Sequence, residues 1–480
     1  MDNTNFLSQE TSLALVIIVS LIFTLVGIIY SKRHQGLNNY LTANRNIGSF
    51  TLSTSLIASA LGAWILFGPA SAATWGGIGA VIGYSLGTAF PMIFLIFLGK
   101  KIRNDFPKGS TLIEFLRKKF SKTLFKLVLF MTIFYMFVFL CAEVTAVAIL
   151  INYISGTELW ITAFIILTCT LTYTLYGGLR ASMFTDNIQM AVIIVLFLIS
   201  VFYLTTFTGD AFTFTFIKEK NPDLLNIKYI PNYTAGLTFF IAVAATNLFH
   251  QGNWQRVYAA KNNKVLKQSL IISSIIIIPI VFFMGFSGMV AVSTDPKVIP
   301  DLGFFSLLFI EQTEFLSVLI VILGLSLTIS TIDTLVNAIS SLIIVDGKAT
   351  FNFDKKTNYL KFSKICLVTL SIVAFFIASK GFSVLYLFLL ADLFCCAFVL
   401  TVFYSFYNKS ITEKTAYISI VVGLIGGFLL FPSPDFSKSI LIGTILPKDL
   451  FPLIVSQSLL FLSFLIATFI PMIIWKLRSR

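Results

Sequence analysis

The sequence is poor in charge and in the residues that build catalytic and metal centres. Only 11% of its 480 residues are charged and 57% are hydrophobic, whereas an ordinary soluble domain is about 25% charged. It has two histidines, His34 and His250, so it contains neither a histidine-rich cluster nor an HExxH zinc motif. Because no nucleophile–base pair or metal motif is visible either, we expect a protein that is not an enzyme.

Three further absences narrow the class. No P-loop occurs, which argues against an ATP-driven pump. No lysine or arginine lies in the middle of an apolar stretch, which argues against a voltage sensor with its ladder of arginines. The five cysteines all lie in apolar segments, without the pattern of a secreted disulfide protein or the spacing of metal ligands.

Long apolar stretches fill the chain, and many reach the roughly 20 residues that a helix needs to cross a bilayer. We predict an all-α polytopic membrane protein with about 13 transmembrane helices. The first stretch, Thr11 to Tyr30, has no basic leader or small-residue cleavage site, so we expect it to be retained as a helix. The predicted spans are 11–30, 50–72, 76–99, 125–153, 158–177, 184–206, 233–250, 267–293, 314–345, 361–381, 383–406, 415–432 and 452–475.

The distribution of lysine and arginine among the loops predicts the orientation. With the N-terminus outside, most basic residues fall on the inner side, including the cluster from Lys100 to Lys122 and the tail residues Lys476, Arg478 and Arg480. Most loop acids fall on the outer side. The net charge of +13 therefore indicates contact with anionic lipid and not with nucleic acid. Compact loops without a targeting peptide favour the bacterial cytoplasmic membrane, with the C-terminus in the cytoplasm.

Acidic and hydroxyl side chains interrupt the apolar spans at a few places. Glu143, Asp333 and Asp392 lie well inside spans, where a charge is costly and usually marks a site or a pathway. The ninth span contains LSLTISTIDTLVNAISS, residues 325–341, whose polar residues recur at helical spacing. They are Ser326, Ser330, Asp333 or Thr334, Asn337 and Ser341.

The second span contains a predicted helix break. It reads SLIASALGAWILFGPASAATWGG, with Gly62, Gly68 and Pro69 inside it. A broken helix exposes backbone carbonyls inside the membrane, and such hard oxygen ligands suit sodium. Ser330 and Thr331 of the ninth span would complete an ion site there. The alternative is that these hydroxyls bond their own helix or join neighbouring helices.

Several segments, in order along the chain, resemble motifs of the sodium:solute symporter family, which includes sodium/proline, sodium/glucose, pantothenate and urea-type carriers. The most specific is YTLYGGLRASMFTDNIQ, 173–189, which is similar to the family's Y-G-G-L-(K/R)-A-x-x-x-T-D-x-x-Q. NNYLTANRNIG, 38–48, resembles the stretch before the second helix. GNWQRVYAAKN, 252–262, resembles a cytoplasmic loop, and TISTIDTLVNAISS, 328–341, resembles the ninth helix.

The resemblance implies a leucine-transporter-type fold with two inverted repeats of five helices each. Its implied divisions are the first transmembrane helix and the cytoplasmic loop after it (1–49), the first repeat of spans 2–6 (50–206), an extracellular loop (207–232), the second repeat of spans 7–11 (233–406) and two C-terminal helices (407–480).

The resemblance also implies sodium as coupling ion, at a site between the second and ninth helices. Asp186, in the T-D pair of the 173–189 motif, matches an acid on the inward exit route of sodium. Carried over by motif, the sodium ligands are the carbonyls of Ala58, Leu61 and Leu327 and the side chains of Ser330 and Thr331.

Six residues are candidates for contact with the solute or for gating. Glu143 and Asp392 are substrate or proton contacts, or partners for neighbouring helices, and Asp333 is a site residue or a helix–helix bond partner. Trp64 lies beside the predicted break. Sugar carriers of the family have a gate tyrosine on the seventh helix, and here Thr246, next to Asn247, takes that place.

These features predict a secondary active transporter that carries sodium and a small polar organic solute into the cell by alternating access. An amino acid such as proline, or a urea-like amide, fits better than a sugar because the gate tyrosine is missing. A proton-coupled solute symporter, a sodium/sugar symporter and a receptor built on a transporter fold are the alternatives.

Overall fold

The computed structural model describes residues 6–120, 122–310, 313–350, 358–407, 412–434, 436, 439 and 453–478. Parts of the predicted loops and the tail residue Arg480 lie outside these ranges. The α-helices are α1 (Gln9–Lys32), α2 (Leu37–Thr42), α3 (Ser49–Ala60), α4 (Gly68–Asp105), α5 (Leu112–Lys119), α6 (Lys122–Ser155), α7 (Leu159–Phe207), α8 (Phe214–Lys220), α9 (Ile230–Phe249), α10 (Gln251–Ala259), α11 (Asn263–Thr294), α12 (Gly303–Leu308), α13 (Glu314–Leu342), α14 (Lys348–Thr350), α15 (Tyr359–Ala378), α16 (Val384–Tyr404), α17 (Glu413–Leu430) and α18 (Leu453–Arg478). Within these ranges there is no β-strand, only two isolated bridges.

Ten helices of the described chain are long and apolar enough to cross a membrane. The two longest, α4 with 38 residues and α7 with 49, would measure about 57 and 74 Å if straight, well over the ~30 Å hydrocarbon core. Each is divided by a glycine at positive φ, Gly77 (48°) and Gly178 (63°). When α4 and α7 are each counted as two helices, and α9 is added to the ten, the helices match the predicted spans. The prediction of an all-α polytopic fold is therefore confirmed.

The chain doubles back at Gly77, and this brings the two halves of α4 together. A Cβ on Gly68, in the first half, would lie 2.9 Å from the hydroxyl oxygen of Tyr84 in the second half. In a straight helix those residues would be about 24 Å apart. Only a glycine adopts the φ of Gly77 without strain, so this turn is encoded locally.

The second half of α4 packs on α9 at backbone distance. A Cβ added to Gly79 would overlap the carbonyl oxygen of Asn232, and one added to Gly83 would overlap that of Gly236. Small residues permit such close approach between membrane helices, where van der Waals packing replaces the hydrophobic effect as the driving force.

The segment 252–262, which resembles a cytoplasmic loop of the family, connects α9 and α11 as expected. Most of it forms α10, in which every residue is buried. Several polar side chains of α10 find partners inside the protein: Gln251 accepts a hydrogen bond from the backbone N–H of Leu112, and the Trp254 indole donates to the Leu248 carbonyl. A buried helix whose polar side chains bond to neighbouring helices has the same kind of composition as an exposed loop. Composition alone therefore does not distinguish the two.

Candidate functional site

The second span is broken where the glycines and the proline predicted it. α3 ends at Ala60, Leu61 (φ −100°, ψ 81°) and Gly62 (φ −83°, ψ −178°) are not helical, and a short 3₁₀ helix, Ala63–Leu66, precedes α4. Within the described residues, no backbone N–H donates to the carbonyl oxygen of Ala58 or Leu61. The break therefore presents unpaired carbonyl oxygens in the protein interior, which is a cation-binding arrangement in carriers with discontinuous helices.

The polar stripe of α13 faces protein, as its composition predicted. Every residue of α13 from Leu323 to Leu342 is buried, and the helix contacts both α3 and the 3₁₀ helix of the break. Ser330 Oγ donates to Asp186 Oδ1 at 2.6 Å, and Thr331 Oγ1 donates to the Leu327 carbonyl at 3.2 Å. The five residues proposed as sodium ligands thus lie on elements that touch one another.

Asp186 is the centre of a buried ionic network. Its Oδ2 lies 3.0 Å from the guanidinium of Arg256, and both side chains are 0% exposed. Ser55 of α3 donates to the same carboxylate at 2.5 Å, and Arg256 also donates to Thr334 at 2.9 Å. One salt bridge therefore joins α3, α7, α10 and α13, directly beside the hydroxyl of Ser330.

Asp333 connects the two halves of α7 across the Gly178 turn. Its carboxylate accepts hydrogen bonds from Tyr173 at 2.5 Å, Ser182 at 2.7 Å and Thr185 at 3.3 Å. Tyr173 precedes the turn and the other two follow it. These contacts favour the helix–helix role for Asp333 over contact with a solute.

Glu143 of α6 binds the broken helix itself. Its Oε2 accepts the backbone N–H of Ala63 at 2.9 Å, and a Cβ added to Gly62 would overlap Oε1. The first N–H groups of a helix have no partner within the helix. A carboxylate at this point also faces the positive end of the helix dipole, which stabilises a negative charge.

We expect Glu143→Leu to destabilise the protein more than Glu143→Gln. Glutamine keeps an oxygen that can accept the Ala63 N–H, whereas leucine leaves this buried donor unpaired, which costs about 1–3 kcal/mol. The apparent unfolding temperatures of both variants in the same detergent would test this. Equal temperatures for the two variants would show that the hydrogen bond does not support the break.

Four of the six candidates for solute contact line one cavity between α4, α9 and α16. They are Trp64, Thr246, Asn247 and Asp392. Thr246 donates to Asp392 Oδ1 at 2.6 Å. The cavity volume is about 20 Å³, which holds about one water molecule, so the cavity is too small for an organic solute in this conformation.

The sequence analysis missed the aromatic wall of this cavity. Tyr84, Phe139 and Phe388 complete it together with Ser59, Ala60, Val243 and His250. No pattern distinguishes these rings among 51 phenylalanines and 16 tyrosines. For the Asp333 contacts a signal did exist, because Tyr173, Ser182 and Thr185 all lie in the 173–189 motif.

A multi-pass helical protein whose second span is broken beside a small cavity in the helix bundle has the architecture of a membrane transporter. The profile of the sodium:solute symporter family matches residues 40–423. The chain therefore belongs to the sodium:solute symporter family.

Curated relatives carry different solutes. The spermidine transporter DUR31 of Candida albicans is 24% identical over 401 residues, which cover 83% of this chain and 75% of that protein. The sodium/glucose cotransporter of Vibrio parahaemolyticus is 25% identical, covering 58% of this chain and 55% of its own. The high-affinity proline transporter PutP of Bacillus subtilis is 27% identical, covering 42% and 44%.

Solved structures confirm the predicted fold. A sodium-coupled sialic acid symporter in a substrate-bound, outward-open state superposes with a TM-score of 0.74 at 17% identity, covering 98% of this chain and 97% of that one. The nucleobase-cation-symport-1 transporter Mhp1, in a closed conformation, gives a TM-score of 0.57 at 14% identity, covering 92% and 96%. The fold is thus of the leucine-transporter type, with five plus five helices in inverted repeats.

Proposed function

We propose that the protein is a sodium-coupled symporter that moves a small polar organic solute into the cell by alternating access. The observation that supports this most is the pair of unpaired carbonyls at Ala58 and Leu61, on a broken helix in contact with the hydroxyl-bearing turn of α13. Carbonyl and hydroxyl oxygens are sufficient ligands for one monovalent hard cation.

In the proposed cycle sodium binds first, between the break and α13, and stabilises the state that accepts the solute. Coupling is reciprocal, so bound solute raises the affinity for sodium by the same factor. The sodium then leaves past Asp186. Because Asp186 is paired with Arg256 here, and an ion-paired carboxylate attracts a cation weakly, the release step requires this salt bridge to open.

The solute predicted from the sequence is an amino acid such as proline or a urea-like amide. Relatives of this chain are named as transporters of glucose, proline and spermidine, which are a sugar, an amino acid and a polyamine. At the cavity, the position of the sugar-type gate tyrosine is Thr246, whose hydroxyl is already bonded to Asp392, which disfavours a sugar. The proposed location is the cell membrane, with the N-terminus outside, the C-terminus in the cytoplasm and the basic loops on the inner leaflet.

Uptake into proteoliposomes tests the proposal. Wild-type protein should accumulate a labelled solute from a panel of proline, other amino acids, urea, spermidine and glucose only with an inward sodium gradient. The variant Ser330→Ala/Thr331→Ala should lose this sodium-driven uptake, because it removes the two proposed side-chain ligands.

A matched control is Ser274→Ala/Thr369→Ala, whose hydroxyls donate only to carbonyls of their own helices, Leu270 and Ile365. It should transport like the wild type. Uptake that depends neither on sodium nor on Ser330 and Thr331 would contradict the sodium site and leave α13 with a packing role.

Proton coupling is the second candidate, since Asp392 has no cationic partner among the described residues. Uptake driven by an inward proton gradient in sodium-free buffer, and lost in Asp392→Asn, would favour it over sodium coupling.

A further inference from the structure

The cavity between α4, α9 and α16 has two side chains in its wall that can carry a charge, Asp392 and His250. Of its lining residues only Asp392 is an acid, and none is lysine or arginine. The two ion pairs found between described residues, Lys101–Asp105 and Arg256–Asp186, do not involve Asp392. Among the described residues, one hydrogen bond supports this carboxylate, from the Thr246 hydroxyl to Oδ1. An ionised buried carboxylate with so little support is costly, and a cation in the cavity would offset that cost.

Four of the other ten lining residues are aromatic side chains whose rings contact one another. Trp64 and Tyr84 stack with centroids 5.6 Å apart, Trp64 meets Phe388 edge-on at 6.4 Å, and Phe388 meets Phe139 at 4.7 Å. Aromatic faces attract cations, tryptophan most strongly, and cages of such rings bind ammonium groups. Four rings next to one carboxylate therefore form a surface that suits an organic cation.

The break itself offers no site for a solute carboxylate at Ala63. In carriers with discontinuous helices, the N-terminus of a half-helix can point at an anionic group of the substrate. Here the N–H of Ala63 is already bonded to Glu143 of the protein. A second carboxylate at this place would meet the charge of Glu143, and the lining of the cavity has no lysine or arginine to compensate it.

We infer that the transported solute carries an ammonium group and no carboxylate: its nitrogen lies against Asp392 within the ring of Trp64, Tyr84, Phe388 and Phe139. This rests on the proposed function, since it takes the cavity to be the solute site. It departs from the prediction of proline, whose carboxylate would find no lysine or arginine in this lining. The cavity has to widen from its volume of about 20 Å³ to admit the solute, as alternating access requires.

The test compares matched probes on the wild-type protein in sodium buffer. Pyrrolidine, protonated at neutral pH, is paired with proline, which adds only the carboxylate. Choline is paired with 3,3-dimethylbutan-1-ol, its neutral carbon analogue. The readouts are the rise in apparent unfolding temperature with probe concentration and the transport current on adsorbed proteoliposomes. The cationic member of each pair should bind at least about tenfold more tightly, as cation–aromatic and charge-pair contacts predict.

Variants locate the binding. Asp392→Asn should weaken binding of pyrrolidine and choline by roughly 30-fold or more, the effect of removing one partner of a buried charge pair. Glu219→Gln, an exposed acid on α8, is the control and should bind both probes like the wild type. Phe388→Leu should weaken choline binding and leave 3,3-dimethylbutan-1-ol unaffected. If Asp392→Asn does not fold, the comparison of the two probe pairs on the wild-type protein still tests the inference.

Several results would overturn the inference. They are equal binding of proline and pyrrolidine, equal binding of choline and its neutral analogue, no binding of either cation, and unchanged cation binding in folded Asp392→Asn. Sodium-driven uptake of urea or glucose that survives Asp392→Asn would overturn it while leaving sodium symport intact. Cation uptake through Asp392 without any need for sodium would support the inference and contradict the proposed coupling.

Discussion

Arg256→Gln is expected to lower the stability of this transporter strongly, because it leaves Asp186 buried without its cation. Both side chains are 0% exposed and their N–O distance is 3.0 Å. Breaking a buried ion pair by removing one partner costs about 3–5 kcal/mol, most of which is the cost of the remaining unpaired charge. The apparent unfolding temperature in detergent, measured for wild type and variant side by side, would check this.

The surface pair Lys101–Asp105 provides the matched control. Its N–O distance is 3.5 Å, and its side chains are 44% and 49% exposed. Lys101→Gln should therefore change stability by at most ~1 kcal/mol. The double variant Asp186→Asn/Arg256→Gln should recover part of the loss, because neither charge remains. Similar unfolding temperatures for Arg256→Gln and Lys101→Gln would refute the importance of the buried pair.

Gly79→Ala is the second substitution expected to have a large effect, through sterics alone. A Cβ at this position would overlap the backbone carbonyl oxygen of Asn232, and a backbone atom cannot rotate away as a side chain can. α4 and α9 would have to separate, at a cost of about 1–3 kcal/mol or more for forced overpacking. Since both helices also line the cavity that we propose as the solute site, transport should fall together with the unfolding temperature.

Gly48→Ala is the control for this substitution. Gly48 has φ −76°, which alanine adopts readily, and a Cβ there would meet nothing within 4 Å. Its unfolding temperature and uptake should match the wild type. If Gly79→Ala behaved like Gly48→Ala, the close approach of α4 and α9 would not contribute to stability.

The main architecture of this protein could be predicted from the sequence because its signals are local. Hydropathy places the spans, since a helix must be apolar over the thickness of the membrane. Gly62, Gly68 and Pro69 predict the break, because glycine and proline change which backbone conformations their own segment can adopt. The turns at Gly77, near the start of the predicted third span, and at Gly178, in the predicted loop after the fifth span, follow from the same rule.

Roles of single polar residues were predictable only in part. A serine that binds sodium and a serine that bonds its own helix have the same sequence pattern, so the stripe of α13 left both interpretations open. Asp333, Glu143 and Asp392 are alike in sequence, each an acid inside an apolar span. The structure separates them by their partners: hydroxyls of α7 for Asp333, a backbone N–H for Glu143, and Thr246 beside a cavity for Asp392.

By itself, then, the sequence determined a polytopic helical protein, its break and its family motifs. Tertiary structure alone decided that α10 is buried, that Arg256 neutralises Asp186, and that Trp64, Thr246 and Asp392 meet at one cavity. The physical reason is distance along the chain. Apolarity, proline and glycine act within a few residues, whereas a buried charge is stabilised by partners 70 or more positions away, and these are fixed only when the helices pack.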